Sequence, residues 1–468
     1  MKTPPNQVNS VRDRLSNRAE CSNRYLRGAS GHVSIGDMLR GTGLGGRLME
    51  LRGQSVLLTT RDQLAAAVAL IELDGVASRI VICPPDITSE HLPSLIARGG
   101  IDAIVSDYDL DDLDWPNDLL LVKCSSEVVP ASTEQWERRP SEWVLLTSGT
   151  TGAPKMIVHS LASLIAPIDL SKVEMKQSGV VWGTFYDIRR YGGLQIFLRA
   201  ILGCGSLVLS SAGEPVADHL TRLRLHGITH LSGTPSHWRR ALMSPEARGI
   251  APRYTRLSGE IADQAILNTL QSFYPDSRVG HAFASTEAGV AFEVDDGLAG
   301  FPESTIGRRG NVEIKVVNNS LHIRSNRMAS RYLDAEGGSF ADEEGFVDTA
   351  DVVELRAGRY YFLGRRNGVI NVGGLKVYPE EIEAVINRHP AVRMSMVRSR
   401  TNPLTGALVS ADVVLNEGPS GSNPVGDFRS EILKICRQNL PPHKIPVIIH
   451  CVPALPVAAA GKLVRRYA

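Results

Sequence analysis

A chain of 468 residues exceeds one ordinary compact domain, so a large unit joined to a smaller one is the expected organisation. Its 51 Lys and Arg nearly balance 50 Asp and Glu, leaving a net charge of +1. No whole-molecule field therefore recruits nucleic acid or an anionic membrane, and a small, locally bound substrate is expected instead.

Hydrophobic residues at 43% suffice for buried cores, yet no apolar run reaches the roughly 18 residues of a spanning helix. The opening residues, 1–30, are polar and rich in Arg, Asn and Ser, without the apolar run of a secretory signal; they read as a segment open to disorder. Six scattered cysteines (Cys21, Cys83, Cys124, Cys204, Cys436 and Cys451) form no C-x-x-C pair and no zinc-like cluster, which fits a reducing compartment. A cytoplasmic protein is expected.

From residue 31 onward, short apolar runs alternate with segments of helical period. Strands are predicted over 55–59, 78–83 and 103–105, with helices over 61–73 and 90–98 between them. The pattern recurs with strands over 206–209 and 228–231 around a helix over 217–226. Such alternation implies parallel βαβ units with helices covering the sheet. After about residue 300 the texture changes to short strands over 312–317, 320–324 and 360–363, joined by Asn and Gly turns, as in hairpins or a small barrel. Beyond 364 come a helix over 379–387, strands near 394–398 and 408–414, and a helix over 428–438, which together make a separate α+β module.

The most informative stretch is 145–155, an apolar strand running into Thr147-Ser148-Gly149-Thr150-Thr151-Gly152 and closing with Lys155. Glycines let the backbone approach a polyphosphate, the hydroxyls add donors and the lysine adds charge. Pro154 before Lys155 excludes a Walker loop. Ser/Thr/Gly runs taken alone are more often solvated linkers, so further motifs must decide. Four do: His281-Ala-Phe283-Ala284-Ser285-Thr286-Glu287, Ser258-Gly259-Glu260, Thr349-Ala350-Asp351 followed by Gly364-Arg365, and Asn371-Val-Gly373-Gly374-Leu-Lys376. A fifth, Ala460-Gly461-Lys462, lies near the C-terminus.

In this order the segments resemble the adenylate-forming superfamily of acyl- and aryl-CoA synthetases, peptide-synthetase adenylation domains and luciferases. The resemblance covers at least the last two-thirds of the chain. It implies an α/β fold with a large N-terminal domain of parallel-rich sheets, flanking helices and a small barrel-like part over 31–366, and a small mobile α+β domain over 367–468. It implies an ATP-dependent acid–thiol ligase that makes an acyl-AMP with release of pyrophosphate and passes the acyl group to coenzyme A. An acyl carrier protein's phosphopantetheine is the alternative acceptor, and a non-catalytic binding module is a rival from another class.

By the same resemblance Phe283 flanks adenine beside Ala284 and Ser285, with Gly259 and Glu260 on the adenine side. Thr286 bonds the α-phosphate, Glu287 holds Mg2+, Asp351 grips the ribose and Arg365 bonds ribose or phosphate. Lys462 bridges the attacking carboxylate and the α-phosphate, while Gly373 and Gly374 line the thiol's path. Single residues have blander readings: Asp351 as a turn residue, Arg365 as a surface charge, Lys462 as a solvated lysine.

The family's hinge residue, usually Asp or Lys, is Asn367 here, and Ala284 and Ala350 stand where glycine is common. The acid pocket is expected from Tyr186, Arg190, Gly193, Pro235, His237 and His281. Arg190 either faces a second anionic or hydroxyl group of the substrate or makes a structural ion pair with Asp187. A monomer or homodimer is expected, and a non-amino acid is the preferred substrate.

Overall fold

The computed structural model describes residues 10–108, 115–116, 118–131, 138–147, 154–168, 179–333, 339–402, 406–416, 427–458 and 460–465. Two large sheets dominate. In the seven-stranded one, Arg79–Cys83, Ser55–Thr59, Ala103–Ser106 and Leu120–Lys123 run parallel, and Glu142–Thr147 joins them in parallel beside Arg79–Cys83. In the eight-stranded one, Ser206–Val208, Val181–Thr184, His230–Gly233, Tyr254–Ser258 and Arg278–Ser285 are parallel neighbours, and Gly289–Val294 closes the far edge antiparallel.

The parallel strands are apolar on both faces because both faces are covered. Val56 and Leu58 enter one core while Leu57 enters another. The first core gathers side chains from both sheets around helices Gln63–Leu73 and Tyr191–Leu202. All eleven residues of Gln63–Leu73 are buried, so that helix lacks the polar stripe of a surface helix. On its outer face the eight-stranded sheet packs Leu231, Leu257 and Val279 against helices Val216–Leu225, Pro235–Ala241 and Gln264–Phe273.

A six-stranded antiparallel sheet, from Phe301–Pro302 to Arg359–Arg365, curls around Phe301, Ile314, Leu321, Ile323 and Val353. After a turn at Arg366–Gly368 the remaining chain builds its own core. The three-stranded sheet Val392–Asn402, Gly406–Leu415 and Ile448–Cys451 is covered there by helices Pro379–Ile386 and Phe428–Asn439. No described helix is long and apolar enough to cross a membrane.

Two expectations are corrected. From Ser10 on, the polar N-terminal segment is packed structure. Ser10 and Asp13 form a capping box on helix Val11–Ser16, and Tyr25–Arg27 adds to the eight-stranded sheet with Leu26 paired to Leu207. Four apolar residues, Val11, Leu15, Cys21 and Leu26, anchor it, too sparse among polar neighbours to stand out as a pattern. The cysteines are not a wholly reduced set either: Cys21 and Cys204 are joined in a disulfide across 183 residues, a pairing that spacing cannot reveal.

Asp74 ties the N-terminal helix to the seven-stranded sheet. Its buried carboxylate accepts hydrogen bonds from Val11 N at 2.7 Å and from Trp143 Nε1 at 3.0 Å. Asp74→Ala strands both donors in the interior, and a loss of about 2–4 kcal/mol is expected in urea unfolding. Asp74→Asn, which keeps one acceptor, should lose less.

Candidate active site

The parallel strands Val181–Thr184, His230–Gly233, Tyr254–Ser258 and Arg278–Ser285 end at one edge of their sheet, where ligands of open α/β sheets bind. Facing that edge, Glu142–Thr147 and Lys155–Ser160 form an antiparallel pair with Thr147 opposite Lys155. Ser148, Gly149, Thr150, Thr151 and Gly152, between them, lie outside the described residues.

The roots of that connection meet the segment after Arg278–Ser285. His159 Nε2 is 2.7 Å from the Thr286 carbonyl oxygen, and Nδ1 is 3.1 Å from Ser163 Oγ. Burial pushes the His159 imidazole down to about 4, so it is neutral near pH 7 and acts as a fixed strut. Glu287 accepts at its carbonyl from Ala329 N at 2.9 Å, and Ser285 Oγ accepts from Ala288 N at 3.0 Å. Lys155 Nζ sits 5.4 Å from the Tyr332 ring centre. Burial raises the Tyr332 phenol, and the Glu287 carboxylate raises it further, which places Glu287 close to the root of the loop.

Asp351 and Arg365 are cross-strand partners, with Arg365 Nε 3.4 Å from Asp351 Oδ1. Asp351 Oδ2 is buried with no hydrogen-bond partner among the described residues, and burial raises its carboxyl against the pull of Arg365. An acceptor left open in this way suits paired hydroxyl donors. Ala350, at φ 58°, occupies the left-handed turn that glycine would take without strain, and Asp348 Oδ1 steadies it by accepting from Ala350 N at 2.9 Å. Phe283 stacks on Phe362 at 5.3 Å and on Phe292 at 5.7 Å, giving this side an aromatic wall.

The distant lysine arrives at the same place. Lys462 extends over Gly259, whose φ of +87° turns the chain there; a Cβ built on Gly259 would meet Lys462 Cε at 3.3 Å. Lys462 keeps an exposed face, yet partial desolvation among its neighbours lowers the ammonium's pKa, and Arg365 lowers it further while Glu260 opposes them. The lysine is held by its own backbone. Thr234 Oγ1 donates to the Gly461 carbonyl at 2.6 Å, and Leu463 N donates to Glu260 Oε1 at 3.0 Å. Glu260 is itself fixed by Ser236 N at 2.9 Å and Ser236 Oγ at 3.0 Å.

A second latch joins the two cores. Asp263 accepts from Arg239 at 2.8 and 2.6 Å and from Asn387 Nδ2 at 2.9 Å, and Arg239 also donates to the Arg393 carbonyl at 3.0 Å.

Several expected placements change. Glu260 serves as anchor for the lysine segment. Arg189, not Arg190, pairs with Asp187, its Nε 2.8 Å from Oδ1, while Arg190 pairs with Asp86 and stands just before helix Tyr191–Leu202. Gly193 is buried, and a Cβ there would lie 2.0 Å from the Asp187 carbonyl, so it permits backbone packing; exposed Gly192 is the glycine beside the Tyr186 ring. His281 Nε2 lies 3.0 Å from the Leu298 carbonyl oxygen.

The Tyr186 hydroxyl donates to the Ser258 carbonyl at 2.7 Å. Pro235 opens helix Pro235–Ala241, and half-buried His237 packs against Tyr186 and Phe185. Burial pushes the His237 imidazole down to about 3. Gly373 and Gly374 turn an exposed hairpin with open space around them, apart from the lysine. Asn367 is exposed in the turn between the two cores. His159, Tyr332 and Asp263 went unread in the sequence, since none belongs to a local motif.

Residues 59–332 match the AMP-binding enzyme family and residues 381–462 match the AMP-binding enzyme C-terminal domain. The chain belongs to the AMP-binding enzyme family. Among curated AMP-binding relatives, the 2-succinylbenzoate–CoA ligase of Listeria innocua is 27% identical over 390 residues, covering 79% of this chain and 77% of its own. An acetyl-coenzyme A synthetase of Yersinia pestis is 23% identical over 394 residues, covering 75% of this chain and 58% of its own length.

Solved AMP-binding enzymes share the fold. An anthranilate CoA ligase in complex with anthranoyl-AMP superposes with a TM-score of 0.81 at 16% identity, covering 97% of this chain and 95% of that one. The o-succinylbenzoate CoA synthetase of Bacillus subtilis, with its acyl-adenylate intermediate, gives a TM-score of 0.73 at 18% identity, covering 96% of each chain.

Docking of the lysine segment requires Gly461, because a Cβ there would lie 1.8 Å from His237 Cε1. Gly461→Ala should therefore undock Lys462 and lower acid-dependent pyrophosphate exchange by at least about 100-fold. Fluorescence unfolding should show little change in stability, and a Gly461→Ala enzyme with full exchange would show that the segment does not need this position.

Proposed function

We propose that this AMP-binding enzyme is an ATP-dependent acid–thiol ligase: it joins a carboxylic acid to AMP with release of pyrophosphate, then transfers the acyl group to the thiol of coenzyme A. The observation that carries this reading is the docking of Lys462 between Gly259 and the Asp351–Arg365 pair, beside the strand that leads to Thr286 and Glu287.

In the first half-reaction the acid's carboxylate attacks the α-phosphorus and pyrophosphate leaves. Two anions approach each other in that step, and an ammonium between them offsets the repulsion in the transition state. Asp351 orients the ribose through its open acceptor, Arg365 supplies a second cation, and Thr286 donates to the phosphate. Glu287 is a half-buried hard oxygen donor near the root of the phosphate loop, the kind of carboxylate that holds Mg2+ when most other ligands come from the nucleotide and water. Among the described residues no group of three or more His, Cys, Asp or Glu side chains gathers at a metal position, consistent with an ion carried in on ATP. Bound magnesium supplies charge neutralisation at the phosphate oxygens.

In the second half-reaction a thiolate attacks the acyl-adenylate carbonyl and AMP leaves. Gly373 and Gly374 lie outside the site while Lys462 is inside it, so the two half-reactions call for exchange of these elements by a pivot at Asn367.

Acid-dependent exchange of labelled pyrophosphate into ATP tests the reading, and its absence across fatty, aryl, dicarboxylic and amino acids would reject it. Lys462→Ala should suppress exchange by about 10³-fold or more while sparing thiolysis of a supplied acyl-adenylate; equal losses in both would reject the assigned role. The ammonium must be protonated and its pKa is lowered in the free enzyme, so kcat/KM for adenylation should fall as pH rises through that lowered value. This alkaline limb should vanish in Lys462→Arg. Thioester formation compared with coenzyme A and with carrier proteins decides the acceptor.

A further inference from the structure

The acid-binding side holds a buried charge imbalance that the ligase chemistry leaves unused. Helix Tyr191–Leu202 is buried along most of its length, but Gly192 is exposed beside the Tyr186 ring and Arg199 stays 23% exposed. Residues seven apart share a helix face, so Arg199 lies on the same face as Gly192, about 10 Å deeper.

The neighbouring strand makes the matching wall. Ser258, whose carbonyl holds Tyr186, is followed two residues deeper on the same face by Arg256, which is only 5% exposed. Both guanidiniums converge on Glu293, from Arg256 Nη2 at 2.9 Å and from Arg199 Nη2 at 3.4 Å. A third, Arg327, adds its charge nearby, donating to the Val290 carbonyl at 2.9 Å and sensed by both Glu293 and Arg199. Glu293, on the edge strand Gly289–Val294, keeps 38% of its side chain exposed, so this wall is open to solvent at its base. Burial would raise its carboxyl, but Arg256 and then Arg199 hold it down at about 2, so it is ionised at neutral pH.

Three guanidiniums therefore face one carboxylate. A partly buried positive excess is stabilised when a further anion joins it. Glu293 is engaged mainly by Arg256, which leaves the Arg199 guanidinium, 23% exposed, with one long contact to it among the described residues.

Building on the ligase reading, we infer that the acid activated by this enzyme carries a second anionic group, a carboxylate or its equivalent, at the end remote from the reacting carboxylate, and that Arg199 with Arg256 selects it. The reacting end lies beneath Lys462 at the strand ends, and the second charge lies no more than about 10 Å away along the helix. Arg190, the arginine the sequence suggested for such a role, is committed to Asp86 at the mouth.

The test uses stable acyl-adenylate mimics, N-acylsulfamoyl adenosines of equal chain length that end in a methyl, a carboxylate or an ammonium group, with calorimetric affinities measured on the full-length enzyme. The carboxylate-ended mimic should bind about 100-fold more tightly than the methyl-ended one. That ratio should collapse toward one in Arg199→Met and persist in part in Arg199→Lys, which keeps the charge and guards against a folding defect in the first variant.

Equal affinities for the methyl and carboxylate ends, or a ratio unmoved by either substitution, would overturn the inference while leaving the ligase reading intact. Tighter binding of the ammonium end would overturn it in favour of Glu293 as the recognising group. Failure of all three mimics and of AMP to bind would reject the ligase reading, and the inference with it.

Discussion

Two short hydrogen bonds to backbone atoms, from Thr234 to the Gly461 carbonyl and from Leu463 N to Glu260, hold the tip of the chain inside the larger sheet assembly. The placement of Lys462 depends on them. They bring Lys462 within reach of Arg365 and Arg190, neighbours that disfavour its charge, and only Glu260 and Asp351 act in the opposite sense. An anion arriving beside Lys462 offsets the repulsion that the ammonium meets from these arginines.

The same logic explains why the anchors are backbone contacts. A lysine held by its own side-chain partners would have its ammonium occupied before substrate arrived. Holding the residues on either side leaves the ammonium without a hydrogen-bond partner among the described residues, and packing of Gly461 against His237 fixes its depth. The Asp263 latch, with Arg239 and Asn387, stabilises the same arrangement from outside the site.

Much of this was legible in the sequence, for a physical reason. Parallel strands covered on both faces are continuous apolar runs, so 55–59 and 79–83 were readable, and nucleotide-facing loops are local in sequence. Contacts between distant segments were not. The pairing of Arg190 with Asp86, the strut from His159 to Thr286 and the group of Arg199, Arg256 and Glu293 each join residues from separate elements that no motif links. The family resemblance places Gly193 in the acid pocket, whereas its constraint in the structure is the Asp187 backbone against which it packs. The first thirty residues misled for the opposite reason: four well-placed apolar anchors fix a segment whose average composition is that of a tail.

That segment has a practical side. Tyr25–Arg27 lies between Ser206–Val208 and His32–Ser34, so it forms part of the border of the eight-stranded sheet. An expression variant trimmed at residue 30 would strip Leu26 from the sheet and bare the amides and carbonyls of Ser206–Val208, an open template for pairing with other chains. Poor solubility of such a truncation would reflect a missing strand, with no bearing on the chemistry at the opposite end of the sheet.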